Sequence, residues 1–265
     1  MRILFVGDVI GKPGRRAVAA LLPDLRRQEA VDFVIANGEN LAGGRGINID
    51  SAQQLFNAGV DCITLGNHIY DNNEVFNLLL EEPRVVRSAN LPPDAPGKRW
   101  QTYAVPGQPP VTVVQLDGRV FMRPTDCPFR TMDAILAQLP TETGALVVDI
   151  HAEATSEKVA LGWYLDGRVT ALVGTHTHVP TADERVLPRG TAYITDVGMT
   201  GPFDSIIGVQ KEIVLHKFLH GYGPYNEVAK GDVRFCAVLI TTDEAGRSAT
   251  GIRRFQIPVA EGDGP

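Results

Sequence analysis

Side chains that can bind metals recur in this sequence directly after short apolar runs. They occur in Gly7-Asp8, Gly38-Glu39-Asn40, Gly66-Asn67-His68, at His151 and in Gly174-Thr175-His176-Thr177-His178. Carboxylate, carboxamide and imidazole groups gathered in one pocket are what two cations a few ångströms apart require. The pattern therefore predicts a dinuclear metal centre that catalyses hydrolysis.

Each motif taken alone has a simpler interpretation. Asp8 could equally be a helix cap or a turn residue, and Asn67-His68 could be a turn with a surface histidine. Packing seldom requires two imidazoles at alternate positions of an extended segment, as at His176 and His178. Four of the six histidines fall within these motifs. That concentration favours the metal site over the separate interpretations.

Other motifs in the chain give weaker chemical signals. Gly11-Lys12-Pro13 lacks the spacing and the hydroxyl residue of a P-loop. Gly43-Gly44-Arg45-Gly46 does not fit a dinucleotide fingerprint and could be either a mobile lid or a plain loop near the pocket. Cys127 is predicted to be a buried thiol, not a nucleophile, and His216 and His220 to be structural or surface residues.

Strand and helix signals alternate along most of the chain. Strands are predicted at 3–6, 33–36, 62–65, 146–150, 169–173 and 191–195, and helices at 13–28, from about 50, 75–80, 130–138, 156–165 and 209–218. Shorter strands at 103–105, 111–116 and 120–122 and a hairpin of 233–240 with 251–257 suggest antiparallel pairing. The alternation indicates βαβ units and a mostly parallel sheet.

Two sheets packed face to face, with helices outside, would accommodate both kinds of strand. Open α/β sheets bind ligands beyond the carboxyl ends of their strands. The predicted metal ligands all fall at that end of a predicted strand. We therefore expect them to converge in one pocket.

Size and composition limit the classes of protein that the chain can belong to. At 265 residues the chain is near the upper limit for one core, so a single domain spanning 1–265 is expected. A net charge of −6 argues against stable nucleic-acid or membrane binding, although bound cations would let a small phosphate ester bind. Homo-oligomerisation stays open.

Cellular location is predicted from three further features of the sequence. The apolar run Ile3–Val6 is too short for a signal peptide, and no window approaches the roughly 18 apolar residues of a membrane span. The three cysteines are widely spaced and form no CxxC pair. A cytoplasmic protein without disulfides is therefore expected.

The ordered motif set resembles that of the calcineurin-like metallophosphoesterases. The blocks 149–158 (DIHAEATSEK) and 196–202 (DVGMTGP) resemble the bacterial YmdB-like branch of that superfamily. The resemblance runs from Met1 to about Ile257. It implies a four-layer αββα sandwich of two mixed sheets, which is an α/β fold, with a dinuclear site and phosphodiesterase activity on 2′,3′-cyclic nucleotides. Two positions depart from the wider pattern, where Ile10 replaces a histidine and Glu39 replaces an aspartate.

The motifs lead to a specific assignment of ligands. The first cation is assigned to Asp8, Glu39, Asn40 and His178, and the second to Glu39, Asn67, His151 and His176. Glu39 is expected to bridge both cations through its two oxygens. Oxygen and nitrogen ligands without thiolate suit iron as the first expectation, with manganese or zinc as alternatives.

The expected reaction is attack on phosphorus by a water that the cations activate. His68, beside Asn67, is the candidate general acid for the leaving alkoxide. Asp196 could either orient a ligand histidine or cap a helix. Two alternatives to a cyclic-nucleotide phosphodiesterase stay open, namely a phosphomonoesterase with the same site and a regulatory nucleotide-binding metalloprotein with little turnover.

Overall fold

The computed structural model describes residues 1–140 and 143–260. The strands are β1 (Arg2–Val6), β2 (Asp8–Val9), β3 (Phe33–Asn37), β4 (Cys62–Thr64), β5 (Val85–Val86), β6 (Trp100–Tyr103), β7 (Val111–Asp117), β8 (Ala145–His151), β9 (Ala171–Thr175), β10 (Arg185–Val186), β11 (Ala192–Ile194), β12 (Met199–Pro202), β13 (Val233–Thr242) and β14 (Ala249–Pro258). The helices are α1 (Gly11–Gln28), α2 (Ile49–Asn57), α3 (Val75–Glu81), α4 (Pro128–Leu136), α5 (Thr155–Leu165) and α6 (Lys211–His220).

The strands form two mixed sheets. The first has the order β2-β12-β13-β1-β3-β4-β5, with β14 also paired to β13, and the second has the order β10-β11-β9-β8-β7-β6. Strands β1, β3, β4 and β5 run parallel, as do β7, β8, β9 and β11. Antiparallel strands β13 and β6 flank these parallel sets. The sheets thus combine the parallel and antiparallel signals of the sequence.

Three apolar clusters fill the spaces between the layers of the fold. One packs α1, α2 and α3 against the outer face of the first sheet, with Leu22 and Leu55 fully buried. The second lies between the sheets and joins Phe5 of β1 to Val147 of β8. The third packs α4 and α5 on the second sheet. The predicted four-layer αββα sandwich is confirmed.

Local sequence signals explain the helices that approach the site. Pro13 lies in the first turn of α1, where its missing amide hydrogen is not required. Asn48 caps α2, because its side chain accepts a hydrogen bond from the Ser51 amide at 2.9 Å. Both helices therefore begin close to where the sequence predicts.

The sequence predictions fail in one segment and miss several short strands. Residues 120–122 form no strand, since Phe121 is 89% exposed with φ of 62° in a turn. The two-residue strands β2, β5 and β10 and the strand β12 were not predicted. The single-domain organisation stays a prediction.

Two properties of the described residues bear on the predictions about disulfides and membranes. All three cysteines are free thiols, and Cys62 and Cys236 are buried. Cys127 is only half-buried, although the sequence predicts a buried thiol there. In the ranges 1–140 and 143–260, no helix has both the length and the apolar content needed to cross a membrane.

Candidate metal centre

The predicted ligands converge where the two sheets present the carboxyl ends of their parallel strands. From the first sheet, Asp8 begins β2, Glu39 and Asn40 follow β3, and Asn67 follows β4. From the second sheet, His151 ends β8, and His176 and His178 follow β9. The expected convergence is therefore found, and it draws on both sheets.

Two groups of side chains place their ligand atoms within 4.8 Å of one another. One group contains Glu39, His151 and His176, and the other contains Asp8, Glu39 and His178. Glu39 belongs to both groups. This shared membership is the arrangement that the sequence-based assignment anticipates for a bridging carboxylate.

The donor group around His151 is compact. The Nε2 atom of His151 lies 3.1 Å from Glu39 Oε1, 3.0 Å from Asn67 Oδ1 and 3.1 Å from His176 Nδ1. Asn67 therefore adds an oxygen to the carboxylate and the two imidazoles. These four residues are the ones assigned to the second cation.

The donor group around Asp8 is more open. The Oδ1 atom of Asp8 is 4.0 Å from His178 Nε2. The amide nitrogen of Asn40 donates to Glu39 Oε1 at 3.1 Å and lies 3.3 Å from His178 Nε2. A cation would instead need the amide oxygen of Asn40, which a half-turn of its carboxamide presents at the same place.

The buried oxygen of Asp8 fits a cation. Asp8 is 0% exposed, and its Oδ1 atom has no hydrogen-bond partner in the described part of the chain. A buried carboxylate oxygen without a partner is costly, because it has lost water and gained nothing in exchange. A divalent cation between Asp8, Glu39 and His178 would satisfy that oxygen.

Each histidine that is predicted to be a ligand has its outer nitrogen paired with an acceptor. His178 Nδ1 donates to the Ile207 carbonyl oxygen at 2.9 Å, and His176 Nε2 donates to Glu153 Oε2 at 3.1 Å. His151 Nδ1 donates to Thr175 Oγ1 at 2.8 Å. In the neutral ring, such acceptors fix the tautomer, so that the inner nitrogen carries the lone pair that a metal would use.

Thr175 links His151 to a buried carboxyl group, that of Asp149. The Thr175 hydroxyl donates to Asp149 Oδ1 at 2.8 Å, and the Thr64 hydroxyl donates to Asp149 Oδ2 at 2.6 Å. Burial raises the pKa of Asp149 to about 7, against the opposing effect of His151 and the two hydroxyls. A chain of hydrogen bonds thus orients the ring of His151.

Burial and neighbouring charges strongly shift the pKa values of the ionisable side chains in the pocket. Burial raises the pKa of Asp8. Burial also opposes ionisation of Glu39, but the His151 ring lowers the pKa of Glu39 well below its usual range. In His151, burial is outweighed by the Glu39 carboxylate, and the pKa rises to about 10. Burial and the His151 charge lower the pKa of His176 to about 3. The Glu39 carboxylate thus stabilises a positive charge on the neighbouring His151 ring.

His68 lies beside the two donor groups but belongs to neither. Its backbone amide donates to Glu39 Oε2 at 2.9 Å, while its ring Nδ1 donates to Asp71 Oδ2 at 2.6 Å. Arg45 Nε lies 2.6 Å from the same Asp71 oxygen. The ring of His68 therefore contacts Asp71 and lies outside both donor groups.

The glycine-rich loop has a defined conformation. Gly43, Gly44 and Gly46 have φ angles of 68°, 92° and 74°, which side-chain-bearing residues rarely adopt. These turns direct Arg45 to Asp71 beside His68. The loop is therefore in contact with the site, while the choice between a lid and a plain loop stays open.

Several residues around the site were missed by the sequence reasoning. Glu153 and Asp149 lie within the block 149–158 but, like Asp71, were given no role of their own. Glu153 and Asp71 contact a histidine directly, and Asp149 reaches His151 through Thr175. A period-two signal could have found Asp149, because it lies two residues before His151 and on the same face of β8. His216 and His220 lie outside both donor groups, as expected.

Gly66→Ala is expected to disrupt the donor group around His151. A methyl group at this position would lie 2.4 Å from Glu39 Oε2 and 2.5 Å from His151 Nε2, so that one of these side chains must move. We expect the protein to lose about one bound metal ion per chain, at a stability cost of about 1–3 kcal/mol. Metal content after dialysis is the measurement. Gly251→Ala is the matched control, because no atom lies within 4 Å of the added methyl group.

Comparison with known proteins identifies the family. A profile of the YmdB-like protein family matches residues 4–255. The chain belongs to the YmdB-like family. The branch that the two sequence blocks resemble is therefore the correct one.

Relatives of this YmdB-like protein match it over most of their length. A 2′,3′-cyclic-nucleotide 2′-phosphodiesterase of Bacillus subtilis is 46% identical over 97% of each chain. A structure from Thermus thermophilus, described as a hypothetical protein, is 46% identical with a TM-score of 0.91, covering 97% of this chain and 99% of that one. A novel phosphatase from Mycoplasma pneumoniae is 33% identical with a TM-score of 0.91, covering 97% and 93%.

Proposed function

We propose that this YmdB-like protein is a dinuclear metal-dependent phosphodiesterase that hydrolyses cyclic nucleotides, with 2′,3′-cyclic nucleotides as the first expectation. One observation carries the proposal: a single buried carboxylate, Glu39, belongs to both groups of potential metal ligands. The activity of the Bacillus subtilis relative supports the same substrate class.

The chain would hold two cations with the ligands that the sequence assigns. One cation would take Asp8, Glu39, Asn40 and His178, and the other would take Glu39, Asn67, His151 and His176. Bound there, the cations supply Lewis-acid stabilisation of the phosphoryl oxygens and activate water near neutral pH. Oxygen and nitrogen donors without thiolate suit iron, manganese or zinc, and iron is the first expectation.

His68 would return a proton to the leaving oxygen. Asp71 accepts the Nδ1 hydrogen of His68 and fixes the plane of the ring. Nε2 is then the nitrogen that can donate a proton to the departing alkoxide. The amide contact of His68 with Glu39 Oε2 keeps this ring next to the pocket. Arg45, whose Nε is held at Asp71, adds positive charge on the same side.

A substrate panel tests the proposed function. Protein of known metal content should open 2′,3′-cyclic AMP faster than it hydrolyses p-nitrophenyl phosphate, and chelation should abolish both activities. Chromatography of the products reports which phosphoester bond breaks. A faster monoesterase reaction would favour the phosphatase activity for which the Mycoplasma pneumoniae structure is named. Nucleotide binding without turnover in fully metallated protein would favour a regulatory role.

The ligand assignment predicts which histidines share a cation. His176→Ala and His178→Ala should each lose about one metal ion per chain, because the two rings belong to different donor groups. The double variant should lose both ions, whereas His151→Ala with His176→Ala should still retain one. Metal content by mass spectrometry after dialysis checks this pattern. One ion remaining in the double variant of His176 and His178 would contradict the assignment.

A further inference from the structure

A buried ion pair lies directly behind the histidine loop, residues 175–178. Lys158 of α5 is 0% exposed and Asp196 is 1% exposed. The Lys158 ammonium group lies 2.7 Å from Asp196 Oδ2. A buried ion pair often adds little to stability, because both charges must first leave water. Its presence here therefore calls for a reason other than stability.

Both members of the pair bind the histidine loop. Lys158 Nζ donates to the Thr175 carbonyl oxygen at 2.7 Å. Asp196 Oδ2 accepts the Thr177 backbone amide at 3.1 Å and the Thr177 hydroxyl at 2.8 Å. The two residues that flank His176 are thus fixed by one ion pair. Asp196 is not a helix cap, because no helix begins there and its Oδ1 accepts the Gly198 amide at 2.8 Å.

The loop needs such a restraint because its backbone is strained. His176 and His178 have φ angles of 98° and 65°. Residues other than glycine rarely adopt these angles, and they persist only where the surrounding structure enforces them. In this conformation the His176 ring belongs to the group with Glu39 and His151, and the His178 ring belongs to the group with Asp8 and Glu39.

We propose that Lys158 and Asp196 are positioning residues that hold the histidine loop in its ligating conformation, and so set the affinity of both cation sites. The proposal rests on the dinuclear site proposed above. It also gives a role to two residues that the ligand assignment leaves unexplained, since Lys158 ends the block 149–158 and Asp196 begins the block 196–202. The two blocks meet in this ion pair.

Charge-balanced variants separate positioning from stability. Lys158→Met or Asp196→Asn alone leaves a buried charge unpaired, and each is expected to lower the unfolding temperature markedly. The double variant Lys158→Met/Asp196→Asn removes both charges and should recover most of that loss. We expect the double variant still to bind Mn²⁺ about 10- to 100-fold more weakly than wild type, the range seen when groups behind metal ligands are changed.

Calorimetric titration with Mn²⁺ alone is the readout, so no substrate is required. Leu22→Ala is the matched control, because it removes a fully buried side chain from α1 and destabilises the fold without touching the loop. Thr177→Val removes one hydroxyl contact with Asp196 and is a milder variant, with an affinity expected between those of wild type and the double variant.

The outcomes are distinct. Wild-type Mn²⁺ affinity in both the double variant and Thr177→Val would overturn the positioning role while leaving the dinuclear site intact. An equal loss of affinity in Leu22→Ala would show that affinity only follows global stability, which also overturns it. A wild-type protein that binds no Mn²⁺ or iron would overturn the proposed function and this inference together.

Discussion

Glu39→Gln is expected to lose both metal ions and to lower turnover by more than about 10³-fold, because several kcal/mol of transition-state stabilisation depend on the cations. The substitution keeps the size of the side chain but removes its charge and one acceptor oxygen. Glu39 Oε1 faces His151 Nε2 at 3.1 Å, and Oε2 accepts the His68 amide at 2.9 Å. The amide of glutamine has a single acceptor oxygen, so it cannot accept from both of these partners.

Asp8→Asn and Glu81→Gln are the comparisons for this variant. Asp8 belongs to one donor group, so its substitution should remove about one metal ion. Glu81 is an exposed residue at the end of α3, and its substitution should remove none. Metal content of the purified proteins is measured by mass spectrometry. Two ions per chain in Glu39→Gln would disprove the bridging role.

His68→Ala is expected to keep both metal ions and to slow cyclic-nucleotide hydrolysis by about 10² to 10⁴, the range that general acid catalysis supplies. An alkoxide is a poor leaving group and needs the proton. Bis(p-nitrophenyl) phosphate releases an anion that is already stable, so its hydrolysis should slow much less. The measurement is the ratio of the two turnover rates in wild type and variant at matched metal content.

The control for His68 is another histidine outside the donor groups. His220 is exposed on α6, and His220→Ala should leave the ratio of rates unchanged. Equal losses on both substrates in His68→Ala, or the loss of a metal ion, would mean that His68 acts through binding or coordination. The role as general acid would then be wrong.

The sequence predicted which side chains come together because the predicted ligands obey a local rule. Each predicted ligand lies at or just beyond the carboxyl end of a strand, and such strand ends face one edge of a sheet. Apolar runs located most of these strands to within two residues. The same signal failed at 120–122, where three apolar residues form a turn and Phe121 is exposed. A short apolar run carries no information about whether a partner strand is present.

Interactions between distant segments could not be predicted in the same way. Lys158 and Asp196 are separated by 38 positions, and their own neighbours in sequence give no sign that they pair. Glu153 lies in the block 149–158, but only the fold places its Oε2 atom 3.1 Å from His176 Nε2. The orientation of the Asn40 amide also depends on contacts with Glu39 and His178, which only the assembled pocket provides.

The division of the proposed ligands between the two sheets has a mechanical consequence. Asp8, Glu39 and Asn67 come from one layer and His151, His176 and His178 from the other, so cations bound between them would cross-link the halves of the sandwich. The hydrophobic effect that holds these layers together is non-directional. Coordination bonds, in contrast, are directional and form only when metal ions are available. A chain without bound metal would then lack this cross-link and would unfold more readily than the metal-bound form.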